Sequence, residues 1–140
     1  MKLIDIPVIC IYSDHNDKYR ERKTHMEKLL NKIGFKNITF YKSPTENYPN
    51  CLTNSEISIL KNNLNNEPIL IIEDDVEEYI ELNDTTEIIF PENTDAFYLG
   101  FSKVGGSYYH NFDDGSSVIS FVNNDYIKIY NMLGAHAVIY

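Results

Sequence analysis

The sequence predicts a single α/β domain over residues 1–140: a mostly parallel sheet flanked by helices, with antiparallel strands added in its C-terminal half. Three observations predict it. Pro68 to Ile72 is an unbroken apolar run, which reads as a strand buried on both faces, the kind found in parallel sheets. The N-terminal half alternates strand, helix, strand, helix, strand, an order that right-handed crossovers turn into a parallel sheet. Further on, short apolar segments are separated by Gly- and Asp-rich turn signals, which points to antiparallel pairing.

Pro7 to Tyr12 is the first strand, apolar and β-branched. Ser13-Asp14-His15-Asn16-Asp17 is a turn rich in helix-capping residues. A helix follows to Ile33, because Met26, Leu29, Leu30 and Ile33 repeat at i, i+3, i+4, i+7. Gly34 is its stop signal. Ile38 to Tyr41 is a second strand, and Ser43 to Asn50 is a loop with two prolines. Thr53-Asn54-Ser55-Glu56 has capping-box spacing and opens a second helix to about residue 64. The apolar strand comes next. Ile88 to Phe90, Ala96 to Phe101 and Val118 to Val122 are further strand candidates. Val104 to Ser107 and Asp113 to Ser116 are turns. Asp125 to Met132 fits a strand or a short helix. Ala135 to Tyr140 is apolar, so that either the last strand closes the sheet or more chain follows.

The 140 residues suffice for one domain with a real core. No apolar run approaches the roughly 20 residues of a membrane helix, and Met1 to Asp5 does not begin a signal peptide. Cys10 and Cys51 make no disulfide scaffold, and Cys10 lies within a strand, so a cytoplasmic, reducing compartment is expected. The net charge of −9 argues against nucleic acid as a partner, since duplex binding needs a basic footprint. Eight of the twelve basic residues fall between Lys18 and Lys42, the pattern of a solvated helix face from which one or two side chains could reach a phosphate.

The chemistry concentrates where the apolar run meets Glu73-Asp74-Asp75. Ligands of parallel sheets bind beyond the carboxyl ends of the strands. Adjacent carboxylates repel one another unless they are protonated, spread into water or gathered on a cation. Oxygen donors of this kind suit Mg²⁺ or Mn²⁺, usually together with substrate phosphates. The plain alternative is a solvated turn or the first turn of a helix. A phosphoacceptor receiver domain also ends a strand in paired acids. In that family the pair comes near the start of the domain, and here the later Asp and Lys lack sensible order.

Four stretches together resemble glycosyltransferase family 25, which includes lipooligosaccharide and procollagen galactosyltransferases. Ile11 to Asp14 with Arg22 to Met26, Leu30 and Gly34 is similar to its opening strand, acidic turn and helix. Cys51 with Ser55, Ile59 and Leu60 is similar to its second helix. Ile69 to Val76 resembles its Leu-Ile-Leu-Glu-Asp-Asp-Val strand. Tyr98-Leu99-Gly100 and Gly134-Ala135-His136-Ala137 resemble its Tyr-Leu-Gly and His-Ala-Tyr segments. The resemblance implies a GT-A-type, Rossmann-like fold and a metal-dependent, inverting transferase. It would move a sugar from a nucleotide-diphospho-sugar, a UDP-sugar in the first instance, to a saccharide or protein hydroxyl. It casts Tyr12, Ser13, Asp14, Arg22, Glu73 and Asp74 as donor-binding residues, and Asp75 with Glu73 as ligands of Mn²⁺ or Mg²⁺. A bare acidic protein repels a diphosphate, so a cation between them agrees with the residues themselves. Strand alternation points Glu73 and Asp75 the same way and turns Asp74 aside.

The sequence also departs from the family. Its Ser-His pair is Ser55-Glu56 here, and Glu56 reads as a capping residue. Val138 stands where the last Tyr of His-Ala-Tyr would be. The family's downstream acceptor-side segment has no counterpart, which leads to the expectation of a domain that binds donor but transfers sugar poorly. The alternative function is then a non-catalytic or truncated nucleotide-sugar-binding domain. The catalytic base is unassigned. Asp113, Asp114 and His136 are candidates, although the first two fit a structural Asp-Asp-Gly turn and the last a core histidine. His15 fits a turn as well as a site, and Tyr108-Tyr109-His110 fits hairpin packing as well as ring stacking on a sugar or base.

Overall fold

A computed structural model describes residues 1–46, 50–63, 67–78, 80–101, 118–121, 127–130 and 135–140. The elements are β1 (Val8–Tyr12), α1 (Asp17–Ile33), β2 (Ile38–Lys42), α2 (Asn50–Asn62), β3 (Leu70–Glu73), β4 (Phe97–Phe101), β5 (Val118–Phe121), β6 (Ile127–Tyr130) and β7 (Ala135–Ile139). A five-stranded mixed sheet has the order β2-β1-β3-β7-β4, and β5 pairs with β6 in a two-stranded one. β1 runs parallel to both β2 and β3. β7 is antiparallel to β3 on one side and to β4 on the other. The chain is therefore α/β, with a parallel core of three strands and antiparallel additions.

The sequence explains the packing. Alternate residues of a strand face opposite ways, and β3 is apolar on both faces. Leu70 and Ile72 join Val8, Cys10, Ala137 and Ile139 against Met26, Leu30 and Ile33 of α1. Ile69 and Ile71 join Ile11 against Ile59 of α2, with Leu52, Leu60 and Tyr140 packed alongside. One helix thus covers each face, as right-handed crossovers require when the chain steps from β2 across β1 to β3. Asn16 caps α1 by accepting the Tyr19 N–H at 3.2 Å. Gly34 ends it at φ 98°, donating to the carbonyls of Leu30 and Asn31.

Two elements differ from the sequence reading. The second helix begins at Asn50 rather than Thr53. Cys51, Ser55 and Ile59 are its buried residues, and this stripe at a spacing of four carries the helix back beyond the apparent cap. Ser55 lies inside the helix and donates its hydroxyl to the Cys51 carbonyl at 2.8 Å, so the Thr53 to Glu56 pattern is no capping box. Ile88 to Phe90 forms no strand. Glu87 makes an isolated bridge to Lys2, and Ile88 exchanges hydrogen bonds with Met1 at 2.8 and 3.1 Å. Pro91 follows at once and has no N–H to extend a ladder. Ile88 and Phe90 still pack on the core while Ile89 is exposed, so the alternation of a strand survives without the pairing.

Asp125 to Met132, open to two readings, contains the strand β6. Among the described residues no helix is long and apolar enough to cross a membrane.

Candidate functional site

The three parallel strands end on one edge of the sheet. β1 is flanked by β2 and β3, and its two helices lie on opposite faces, so a crevice opens beyond Tyr12. Crevices at such a reversal of strand order are where α/β sheets bind ligands. Here the cleft has a volume of about 530 Å³. Tyr12 and Ser13 come from the end of β1, His15, Tyr19 and Arg22 from the turn and first turns of α1, Ser43 to Thr45 from beyond β2, Cys51 and Leu52 from α2, and Glu73 to Asp75 from the end of β3.

The alternation of β3 sorts the three acids. Ile69 and Ile71 face α2, so Glu73 continues toward that side, and Asp74 turns toward α1. Asp74 is buried; its Oδ2 accepts the Ser13 N–H at 3.3 Å and its Oδ1 lies 3.5 Å from Arg22 Nη1. Burial pushes the Asp74 carboxyl above the usual range; the Ser13 N–H and Arg22 pull it back, and Asp75 adds to the rise. Arg22 Nη1 also lies 3.3 Å from Asp75 Oδ2.

Glu73 meets a residue from far along the chain. In β3 and β7, Ile72 pairs with Ala137, so the next antiparallel step sets Glu73 opposite His136. His136 Nδ1 lies 2.8 Å from Glu73 Oε2. Ligand atoms of Glu73, Asp75 and His136 all fall within 4.8 Å of one another, close enough to hold one metal ion.

The other residues singled out by sequence are dispersed. Tyr12 and Ser13 are at the cleft. Asp14 is not among its lining residues: Lys42 Nζ sits 2.8 Å from its carboxylate, and that bond holds Asp14 below the usual carboxylate range. Asp113, Asp114 and Tyr108 to His110 lie outside the described residues. Cys10 is buried, which pushes its thiol up to about 12 and leaves it unreactive.

Glu56 is the residue that sequence reasoning missed. It is half-buried on α2, and its carboxyl is raised by burial first and by Glu73 second. Glu56 in turn contributes, after burial, to lifting the Tyr140 phenol to about 12. Helical spacing contained the signal: Leu52, Glu56 and Ile59 fall at i, i+4, i+7, so Glu56 interrupts the stripe that packs on the sheet.

Tyr12, His15 and Tyr19 bring rings to the cleft. Lys23 Nζ lies 5.0 Å from the Tyr12 ring and 5.1 Å from that of Phe40, within cation–π range. The His15 and Tyr19 rings are 4.2 Å apart, and the Arg22 guanidinium is 5.1 Å from the Tyr19 ring.

A scan against family models, a search of curated proteins and a search of solved structures found no match for this chain.

Proposed function

We propose that this chain is a metal-dependent, inverting glycosyltransferase of GT-A type, taking a sugar from a nucleotide-diphospho-sugar donor to a saccharide or protein hydroxyl. One observation carries the reading: Glu73 and Asp75, which line the cleft, converge with His136 on the edge where a parallel sheet binds its ligands. Two carboxylates with an imidazole fit Mn²⁺ better than Mg²⁺, which prefers an all-oxygen octahedron. A cation bound there supplies the positive charge that an acidic protein lacks for a diphosphate, both in the ground state and as the diphosphate leaves.

The protein's own groups do the rest. Arg22 is the only Arg or Lys among the described residues lining the cleft, and it stands beside the acids, where a phosphate would be drawn. His15 and Tyr19 offer a paired aromatic surface to the base. Asp74 is turned to α1 and orders the Ser13 backbone at the cleft wall. His136, bonded to Glu73, serves as a ligand in this reading, which leaves Asp113 and Asp114 as candidates for the base that takes the acceptor's proton.

Calorimetric titration with a panel of nucleotide sugars, with and without Mn²⁺, tests the proposal. Tight binding of one donor only with metal, followed by transfer of its labelled sugar to a glycan or peptide, is the expected result. Equal affinity in EDTA would refute the metal-dependent reading. Metal-dependent binding with no transfer to any acceptor would replace it with the alternative, a nucleotide-sugar-binding domain without catalysis.

A further inference from the structure

We propose that Arg22 is a displaceable counterion: without metal it neutralises Asp74 and Asp75, and when a divalent cation takes Asp75 it passes to a phosphate oxygen of the ligand. The inference rests on the reading of Glu73, Asp75 and His136 as ligands and adds an order of events to it. Both ion-pair contacts of Arg22 are made by Nη1, at 3.5 and 3.3 Å. These exceed the 2.7–2.9 Å of a tight charge-assisted bond. The guanidinium bridges the two carboxylates without being locked to either. Its side chain is 29% exposed and that of Asp75 43%, so both can exchange partners with water and solutes.

Charge sets the sequence. One guanidinium against three carboxylates leaves this part of the cleft anionic, and a phosphate is repelled. A dication on Asp75 and Glu73 reverses that balance. It also repels the guanidinium, which shares Asp75 with it. Arg22 then has two places to go, Asp74 or an incoming anion. The fork of a guanidinium matches phosphate better than a carboxylate already bonded to the Ser13 N–H. The ligand class is therefore a phosphate-bearing anion that enters with or after the metal, and the affinities of cation and anion are coupled through this side chain.

The full chain is titrated with Mn²⁺, free Mn²⁺ being followed by electron paramagnetic resonance. Titrations are run alone and with inorganic pyrophosphate, after subtracting the Mn²⁺–pyrophosphate complex formed in buffer. R22Q binds Mn²⁺ alone about two- to fivefold tighter than wild type, the worth of an ion pair at this exposure. The tightening of Mn²⁺ by pyrophosphate falls by about tenfold in R22Q, as expected for a lost charge-assisted contact, and R22K restores part of it. A thermal melt in EDTA establishes that each variant is folded. R22Q that binds Mn²⁺ no more tightly than wild type, or that keeps the whole pyrophosphate effect, overturns the proposal while leaving the metal site standing. If neither wild type nor R22Q binds Mn²⁺, the site and the proposal fall together. Absence of nucleotide-sugar binding with the Mn²⁺ and pyrophosphate results intact would refute the transferase reading alone.

Discussion

Replacing His136 with alanine removes the nitrogen donor of the candidate metal cluster Glu73, Asp75 and His136 at modest structural cost, because the side chain is one-third exposed. The expected effect is a loss of metal-linked stability. At a Mn²⁺ concentration 100-fold above the dissociation constant, binding to the folded state alone adds about 2.7 kcal/mol. Unfolding entropy of about 2.1 cal/mol/K per residue, over 140 residues, is about 0.3 kcal/mol/K, so wild type should melt about 9 °C higher with Mn²⁺ than in EDTA. Loss of a residue that merely orients a ligand costs about 10–100-fold in affinity, so loss of a ligand should cost about 100-fold or more. At the same Mn²⁺ concentration His136→Ala then gains about 0.4 kcal/mol, or about 1 °C. In EDTA the variant loses the partner 2.8 Å from Glu73, a pair about one-third exposed and worth about 1 kcal/mol or less. Differential scanning fluorimetry at matched Mn²⁺ and in EDTA reads both numbers. A Mn²⁺ shift in His136→Ala equal to that of wild type would refute the assignment of this imidazole as a ligand.

Three further outcomes are expected. Glu73→Gln should weaken Mn²⁺ binding by calorimetry far more than Asp74→Asn, because Asp74 faces α1 and an amide oxygen can still accept the Ser13 N–H; the reverse order would place the wrong acid on the metal. Glu56 has a folded-state carboxyl raised above its unfolded value, so the folded protein binds the proton more tightly and stability falls as pH rises through the folded value. Glu56→Gln should remove that part of the pH dependence and stabilise the protein at neutral pH by about 1 kcal/mol or less, and urea unfolding that shows the same slope against pH in both proteins would contradict the burial argument. Gly34→Ala should cost about 1–2 kcal/mol in urea unfolding, since φ 98° is strained for any residue with a Cβ; no loss would mean that the helix end relaxes.

The parallel core was legible because β3 is apolar on both faces, a pattern that only a doubly covered strand produces. The acids at its end inherited a direction from the same alternation, so Glu73 and Asp74 could be sorted before any contact was known. Glu56 was misread because its local signal, Thr53 to Glu56, matches a capping box, whereas the buried stripe from Cys51 to Ile59 set the true start of α2. The Glu73–His136 pairing was beyond reach. It depends on the register of β3 against β7, which is fixed by long-range packing and leaves no mark in either segment. Ile88 to Phe90 shows the opposite failure: strand-like alternation reports burial, and pairing needs a neighbouring edge and an N–H where Pro91 has none.

The insertion of β7 between β3 and β4 has a consequence for assembly. Glu73 and His136 are 63 positions apart, and the cluster cannot exist until that separation is closed. Closing so long a loop is the slow and entropically costly kind of contact formation. The parallel core of β1, β2 and β3 with its two helices draws on nearer segments and can condense first. A cation bound across β3 and β7 would then act as a clasp on the most remote seam of the sheet. Amides of β7 and β4 would exchange with solvent by a local opening that metal suppresses, while those of β1 would report only the unfolding of the whole.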